Sequence, residues 1–340
     1  MKLARIAVSA AVLAFACGLA SAQEAWKAPR TSDGRPDLQG VWTNASLTTL
    51  ERSPQFKTQA IPADRAAQME TQRARMMVAS NARTNPSDGA PTDGNANAGY
   101  NTFWIDPGTH YGVVKGEVRS SWIVDPPDGR IPYTASAKKH FDNFLAKVRG
   151  TWDGPEIRPQ GERCIVGFGS TGGPPMVNVL YNNNSQFVQT PGHVVITAEM
   201  IHDSRVIPIG EKRPAKGFDQ WLGNSVGWWE GDTLVVETRN FHKDIRVRPN
   251  MGDSYYVGEN ATVTERFTRI AADAIHYEFT VADKDAFTRP WRAEMTFRAS
   301  KQPMYEYACH EGNYALPGIL AGARRDDREG RKTAAVGDAE

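Results

Sequence analysis

A run of residues from Ser225 to Phe241 has the pattern of a β-hairpin. Two apolar-rich segments flank Gly231-Asp232, a dipeptide that suits a two-residue turn with positive φ. This turn places Trp229 opposite Leu234, and side chains alternate between the two faces along each strand. One face is free of charge, whereas the other collects Glu230, Glu237 and Arg239. We therefore predict that the charge-free face points inward, into whatever the sheet encloses.

The segments around this hairpin indicate a mainly β chain. Eight segments are predicted to be strands: Gln186–Gln189, Val194–Glu199, Ser204–Ile209, Ser225–Glu230, Thr233–Asn240, Thr262–Ile270, Ile275–Val281 and Trp291–Arg298. The last two alternate strictly between apolar and polar residues, which is typical of an antiparallel sheet with one wet face. Eight consecutive strands favour an up-and-down meander closed into a lipocalin-like (calycin-type) barrel, because closure removes exposed edges. A β-sandwich of two sheets is the alternative.

The first 22 residues have the features of a secretory signal peptide. Two basic residues precede an apolar segment at Ile6–Ala16, and Ala20-Ser21-Ala22 supplies the small residues of a cleavage site. The apolar segment is too short for a membrane span, and the residues before Cys17 fit a lipoprotein anchor poorly. We therefore predict a periplasmic or secreted bacterial protein that is cleaved after Ala22 and has no stable membrane span.

Residues 23–100 are predicted to form an N-terminal arm outside the barrel. Within it, Asp64–Met77 is rich in helix-forming residues but poor in apolar ones, which indicates a surface helix. Residues 79–99 are rich in Ser, Asn, Asp, Gly and Pro and have little to bury, so we predict a flexible loop.

Residues 101–320 are predicted to hold the barrel domain. A helix is predicted at 136–149, because four apolar side chains fall on one helical face: Phe141, Phe144, Leu145 and Val148. Residues 321–340 are charged, and we predict a disordered polar tail.

Charge and cysteine content limit the possible partners. The chain has 40 Lys and Arg against 39 Asp and Glu, a balance that argues against nucleic-acid binding. If cleavage follows Ala22, two cysteines remain, Cys164 and Cys309, and in an oxidising compartment they are expected to form a disulfide. Two separate buried thiols are the alternative.

Glu265 is the strongest candidate for a catalytic group. It shares a strand face with Val263 and Phe267, so we expect its carboxylate to point into the barrel. A buried carboxylate without a partner resists ionisation and can act as a general acid or base. The alternative is an internal salt bridge to an arginine such as Arg205.

His202 and Asp203 follow a predicted strand and are expected at a turn on the barrel rim. Such a pair can orient a general base, although it more often satisfies a turn. Together with Glu199 and His310-Glu311, these spacings match no standard zinc signature, so no metal or cofactor is predicted. Gly167–Gly172 matches the dinucleotide pattern GxGxxG, but Gly173-Pro174-Pro175 cannot open the helix that this motif requires.

Several strings along the chain resemble those of one family of secreted bacterial proteins. They are Asp33–Trp42 (DGRPDLQGVW), Ile123–Ile131 (IVDPPDGRI), Tyr181–Asn184, Val188–Ile196, Trp229–Val236 (WEGDTLVV) and Tyr305–Asn313. The resemblance covers nearly all of the chain after residue 22. Members of that family are described only as hypothetical proteins, so the resemblance implies secretion from a bacterium and no catalytic residues.

Three functions fit these features. The first is a barrel that binds a small apolar or aromatic molecule in its interior, through a set of inward residues: Trp229, Thr238, Asn240, Tyr277, Phe279 and Trp291. The second is a cofactor-free lyase, isomerase or hydratase in which Glu265, with His202 and Asp203, moves a proton. The third is a structural envelope protein with a solid barrel.

Overall fold

The structure is a computed structural model, and it describes residues 26–80, 105, 107–150, 152–167, 172–210, 219–243, 247–250 and 253–331. The predicted signal peptide, most of the predicted loop at 79–99 and the last nine residues lie outside these ranges.

The described chain contains fourteen strands and four α-helices. The strands are β1 (Gly40–Thr43), β2 (Val113–Val114), β3 (Glu117–Val118), β4 (Ile123–Asp125), β5 (Asn184–Thr190), β6 (His193–Ala198), β7 (Ser204–Pro208), β8 (Asn224–Glu230), β9 (Thr233–Arg239), β10 (Val247–Asn250), β11 (Asp253–Tyr256), β12 (Thr262–Ala271), β13 (Ala274–Ala282) and β14 (Trp291–Ala299). The helices are α1 (Ala63–Ser80), α2 (Ala135–Gly150), α3 (Cys309–Gly312) and α4 (Ala315–Arg328). All eight predicted strands and both predicted helices are confirmed, with ends that shift by at most three residues.

The predicted hairpin is formed by β8 and β9. Trp229 pairs with Leu234, Gly227 with Val236 and Ser225 with Thr238, as the two-residue turn requires. Gly231 supplies the positive φ, at 60°. The inner face is the charge-free one, since Leu234 and Val236 are completely buried.

Nine strands form a nearly closed lipocalin-like barrel, which confirms the predicted fold class. The strand order is β7-β6-β5-β1-β14-β13-β12-β9-β8, with β4 beside β14. A closed ring with an odd number of strands cannot be antiparallel throughout, because neighbouring strands would have to alternate in direction. The parallel contact falls between β7 and β8, where Gly210 N donates to Gly227 O at 2.8 Å. A Cβ on Gly227 would lie 2.9 Å from Ile209 Cδ1, so glycine allows this close approach.

The N-terminal arm contributes one strand to the barrel, whereas we expected the whole arm to lie outside it. Its strand β1 lies between β5 and β14 and pairs antiparallel with both. β1 therefore connects the first strand of the predicted meander, β5, to its last strand, β14. The four residues of β1 precede the predicted barrel domain.

The barrel interior is filled by side chains. Aromatic rings contact one another along the inner face of the sheet, with Tyr277 4.8 Å from Phe267 and 5.0 Å from Phe297 between ring centroids. Residues 172–179 are all buried, and Met176 N donates to the Tyr277 hydroxyl at 2.8 Å. Phe141 of α2 is also part of this core, which explains the apolar face predicted for that helix.

The C-terminal arm (residues 300–331) leaves the barrel after β14 and contains α3 and α4. Cys164 and Cys309 form the predicted disulfide, with a Cα–Cα distance of 5.7 Å. The prediction of a disordered tail from Ala321 was wrong for its first part, because α4 continues to Arg328. In the described part of the chain, no helix has the length and apolarity that a membrane span needs.

Candidate functional site

Glu265 lies inside the barrel and is completely buried. The Arg205 guanidinium donates two hydrogen bonds to it, from Nη1 to Oε2 at 2.6 Å and from Nη2 to Oε1 at 3.2 Å. The Tyr277 hydroxyl donates a third to Oε1, at 2.7 Å. This is the internal salt bridge that we considered as the alternative to a catalytic carboxylate.

Tyr277 connects this ion pair to the buried segment at Met176. Burial, followed by the nearby Glu265 carboxylate, raises the pKa of the Tyr277 hydroxyl well above its ordinary value. The hydroxyl therefore stays protonated and can donate to Glu265 while it accepts from Met176 N. The Tyr277 hydroxyl thus has both a donor and an acceptor partner, and satisfied buried polar groups of this kind help to fix a unique packing.

The residues predicted to bind a ligand in the interior contact mainly other core residues. Tyr277, Phe279 and Trp291 are fully buried, and the rings of Phe279 and Trp291 meet edge to face at 5.6 Å. Thr238 is also fully buried and exchanges a hydrogen bond with Ser225 at 2.8 Å. These residues are therefore packed together in the hydrophobic core of the barrel.

Trp229 and Asn240 lie nearer the ends of their hairpin strands. Trp229 is half-buried and packs against the main core cluster. Asn240 follows β9 directly and adopts a positive φ of 59°, a conformation in which asparagine is enriched.

His202 and Asp203 lie at the turn between β6 and β7, as predicted. His202 is exposed, whereas Asp203 is half-buried and accepts a hydrogen bond from Gly167 N at 3.2 Å. Burial raises the pKa of the Asp203 carboxyl to about 6, against the opposing effects of the Gly167 N–H and of His202. Ile201 in the same turn has a φ of 59°, which is strained for a β-branched residue.

A large cleft lies on the outside of the barrel. It has a volume of about 1460 Å³. Its lining includes outward residues of three neighbouring strands, Thr296 and Arg298 of β14, Thr43 of β1 and Asn184 of β5. The C-terminal arm contributes Tyr305–Cys309 and the apolar side of α4, Leu316 and Ile319. Residues 108–113 and 181–183, together with Glu162 and Glu199, also belong to the lining.

Several contacts hold the C-terminal arm beside the barrel, among them the hydrogen bond that Ser300 N donates to Val41 O at 2.8 Å. Besides the disulfide at Cys309, Tyr305 N donates to Glu199 Oε1 at 3.0 Å. Asn313 Nδ2 donates to the Glu162 carbonyl at 2.7 Å. The position of the arm, and with it the cleft, therefore depends on cross-links between segments that are far apart in sequence.

Glu199 is the most deeply buried acidic residue of the cleft lining. It is 3% exposed, and Asn184 Nδ2 donates to its Oε2 at 2.8 Å. The other acidic residues of the lining differ: Glu162 pairs with Arg158 at 2.8 Å, and Glu306 is exposed. Arg298, the arginine of the lining, is exposed as well.

Sequence reasoning missed this cleft. It identified Glu199 only as part of a histidine–carboxylate cluster, and it did not single out Arg298 or Tyr305. One signal was present, since Tyr181–Asn184 and Tyr305–Asn313 are among the strings that carry the family resemblance, and both line the cleft.

Comparison with known proteins gives no assignment for this site. No protein-family model matches the chain, and no curated protein sequence matches it significantly. The fold defines the class, a mainly β protein built on a nearly closed, lipocalin-like antiparallel barrel, and the function is inferred from the geometry of the site.

Proposed function

We propose that this protein is a periplasmic or secreted barrel that binds a small molecule in the cleft beside its C-terminal arm. The observation that carries the proposal is the cleft itself, with its volume of about 1460 Å³ and its mixed lining of tyrosines, amides and aliphatic side chains. Small-molecule sites are concave, mostly apolar and supplied with a few polar groups that orient the ligand.

The proposal moves the predicted site from the interior to the outside of the barrel. The interior positions that we expected to contact a ligand are occupied by core packing around Tyr277 and Phe279. Protein interiors are packed like organic crystals, so a ligand there would have to displace side chains. The cleft requires no such displacement.

The disulfide between Cys164 and Cys309 supports the proposed location of the protein. Disulfides persist in oxidising compartments such as the bacterial periplasm and the extracellular medium. This bridge joins the arm that lines the cleft to the loop before β5, so the proposed site depends on the same environment.

The test uses the neutral fluorescent probe N-phenyl-1-naphthylamine and a variant that fills the cleft. Thr296 faces outward on β14 and lines the cleft, so Thr296→Trp should weaken probe binding about tenfold or more, since an added side chain must be displaced. Thr264 faces outward on β12 away from the cleft, and Thr264→Trp is the matched control. Probe binding that is equal in the two variants and the wild type would refute the cleft as the site.

An acid–base enzyme is the second candidate, and the raised pKa of Asp203 favours it. A carboxyl with a pKa of about 6 is suited to proton transfer near neutral pH. Any compound found to bind can be assayed for turnover. A rate that increases through pH 6 and loses this step in Asp203→Asn would support catalysis.

The hypothesis of a structural envelope protein agrees with the packed interior. It gives no role to the cleft, however, and it predicts that Thr296→Trp and Thr264→Trp behave alike in every assay. The same probe titration therefore separates it from the proposed function.

A further inference from the structure

We propose that the ligand of the cleft is an organic cation, such as a protonated or quaternary amine, with Glu199 as its counter-ion and neighbouring tyrosine rings around it. This inference deepens the proposed function and depends on it. Three observations support it: the burial and hydrogen bonds of the Glu199 carboxylate, the tyrosine rings in the same cleft, and the exposure or pairing of the other charged residues of the lining.

Glu199 is a buried carboxylate whose hydrogen-bond donors are neutral. Its two oxygens accept from Asn184 Nδ2 and from Tyr305 N. Among the described residues, no Lys, Arg or His side chain forms an ion pair with it. A carboxylate offers about four acceptor positions, and a buried charge is costly unless it is paired. A ligand ammonium in the cleft would supply the missing positive charge.

Three tyrosines, Tyr181, Tyr305 and Tyr307, line the same cleft as Glu199. Tyr305 provides one of the hydrogen bonds to Glu199 through its backbone N–H, and the residue is 63% exposed. Tyr181 and Tyr307 pack against the cluster that contains Met200, the residue that follows Glu199. The faces of aromatic rings attract cations, and quaternary ammonium groups are commonly bound by rings of this kind.

The other charges of the lining do not compete strongly with Glu199. Arg298 could attract an anion, but it is exposed, and water screens an exposed charge more than a buried one. Glu306 is exposed too and has the opposite sign to Arg298. Glu162 is paired with Arg158, and His110 Nδ1 lies at hydrogen-bond distance, 2.9 Å, from Glu70 Oε2. The buried carboxylate therefore decides the preferred sign of the ligand.

The experiment compares three probes that each contain one phenyl ring and differ in charge, namely benzyltrimethylammonium, benzyl alcohol and benzoate. Isothermal titration calorimetry on the full disulfide-bonded protein measures each Kd at low salt. The cation should bind the wild type about tenfold or more tightly than the alcohol, the difference expected from one ion pair with cation–π contacts. Benzoate should bind weakest.

Two substitutions test whether Glu199 causes the preference for the cationic probe. Glu199→Gln keeps an oxygen that can accept from Tyr305 N, and it should abolish the preference for the cation. Glu306→Gln removes an exposed charge from the same cleft and should change the preference less than about twofold, because surface charges are screened. If Glu199→Gln does not fold, Tyr305→Leu serves instead, since it keeps the backbone N–H and removes the ring. Tyr314→Leu, which removes an exposed ring outside the cleft lining, is its control.

Two outcomes would overturn the inference. One is equal binding of the cation and the alcohol, and the other is tightest binding of benzoate with loss in Arg298→Gln. In both cases the proposed function stands if N-phenyl-1-naphthylamine still binds the wild type and is excluded by Thr296→Trp. If that probe is not excluded, the proposed function fails together with the inference.

Discussion

Removal of one partner of the buried ion pair between Arg205 and Glu265 should destabilise the barrel strongly. Glu265→Gln keeps the shape of the side chain but leaves the Arg205 guanidinium, 5% exposed, without a counter-ion. Loss of one member of a buried pair typically costs about 3–5 kcal/mol. Arg205→Met should have a similar cost, because it leaves the completely buried carboxylate with only the Tyr277 hydroxyl as donor.

Removal of both partners should cost less than removal of either. The double variant Arg205→Met/Glu265→Leu leaves no charge at these two positions, and hydrophobic replacements of a buried pair are often nearly neutral. The remaining cost is the Tyr277 hydroxyl, which loses its acceptor, about 1–3 kcal/mol. The double variant is thus expected to be more stable than each single variant.

Urea denaturation followed by tryptophan fluorescence measures these free energies of unfolding, provided that the slope with denaturant is unchanged. If a single variant fails to fold, recovery of folding in the double variant gives the same answer. A cost below about 1 kcal/mol for Glu265→Gln, or additive costs in the double variant, would refute the argument. A small cost for Glu265→Gln would also favour the hypothesis that Glu265 is a functional carboxylate.

Three further predictions follow from the charges and the disulfide. The pKa of Glu294 is lowered from 4.5 to about 2, chiefly by its hydrogen bond with His276. Its stabilisation is therefore present above pH 4.5 and is lost as the pH falls towards 2, so Glu294→Gln should cost about 2–3 kcal/mol at pH 7 and about 1 kcal/mol at pH 3 in urea denaturation. Asp203 has a pKa raised to about 6, so the folded state loses stability as pH rises from about 4 to 6; Asp203→Asn should add about 1 kcal/mol at pH 8, after allowance for solvent screening, and nothing at pH 4. The double variant Cys164→Ser/Cys309→Ser should increase hydrogen exchange in residues 300–331 and leave β12–β14 protected. If exchange in residues 300–331 equals that of the wild type, the disulfide does not hold the arm.

Strands with strong local patterns were predictable because their pairing partners are close in sequence. β8 and β9 share a two-residue turn, and β13 and β14 alternate strictly between apolar and polar residues, so one register buries every apolar side chain. The same alternation placed Glu265 inside the barrel. Burial of a carboxylate then required a cation, which is why Arg205 could be named as a partner.

β1 and α4 were not predictable by the same reasoning. β1 has four residues, too few for a periodic pattern, and its partners β5 and β14 lie more than 140 and 240 residues away. α4 contains Pro317, Gly318 and Gly322, which are poor helix formers, and its position depends on the contacts of Cys309 and Asn313 with a distant loop. Such non-local contacts leave no signal within a sequence window.

The sequence by itself determined the fold class, the inward face of each long strand, the disulfide and the buried carboxylate, because each follows from alternation along a strand or from a count of groups that must be paired. Only the tertiary structure decided how the barrel interior is packed and where the cleft lies. The volume left inside a barrel depends on how side chains from all strands interdigitate, and here Tyr277 and its neighbours fill it. The cleft depends on where the C-terminal arm packs, and that position is set by contacts of Glu199, Glu162 and Cys164 with residues more than a hundred positions away.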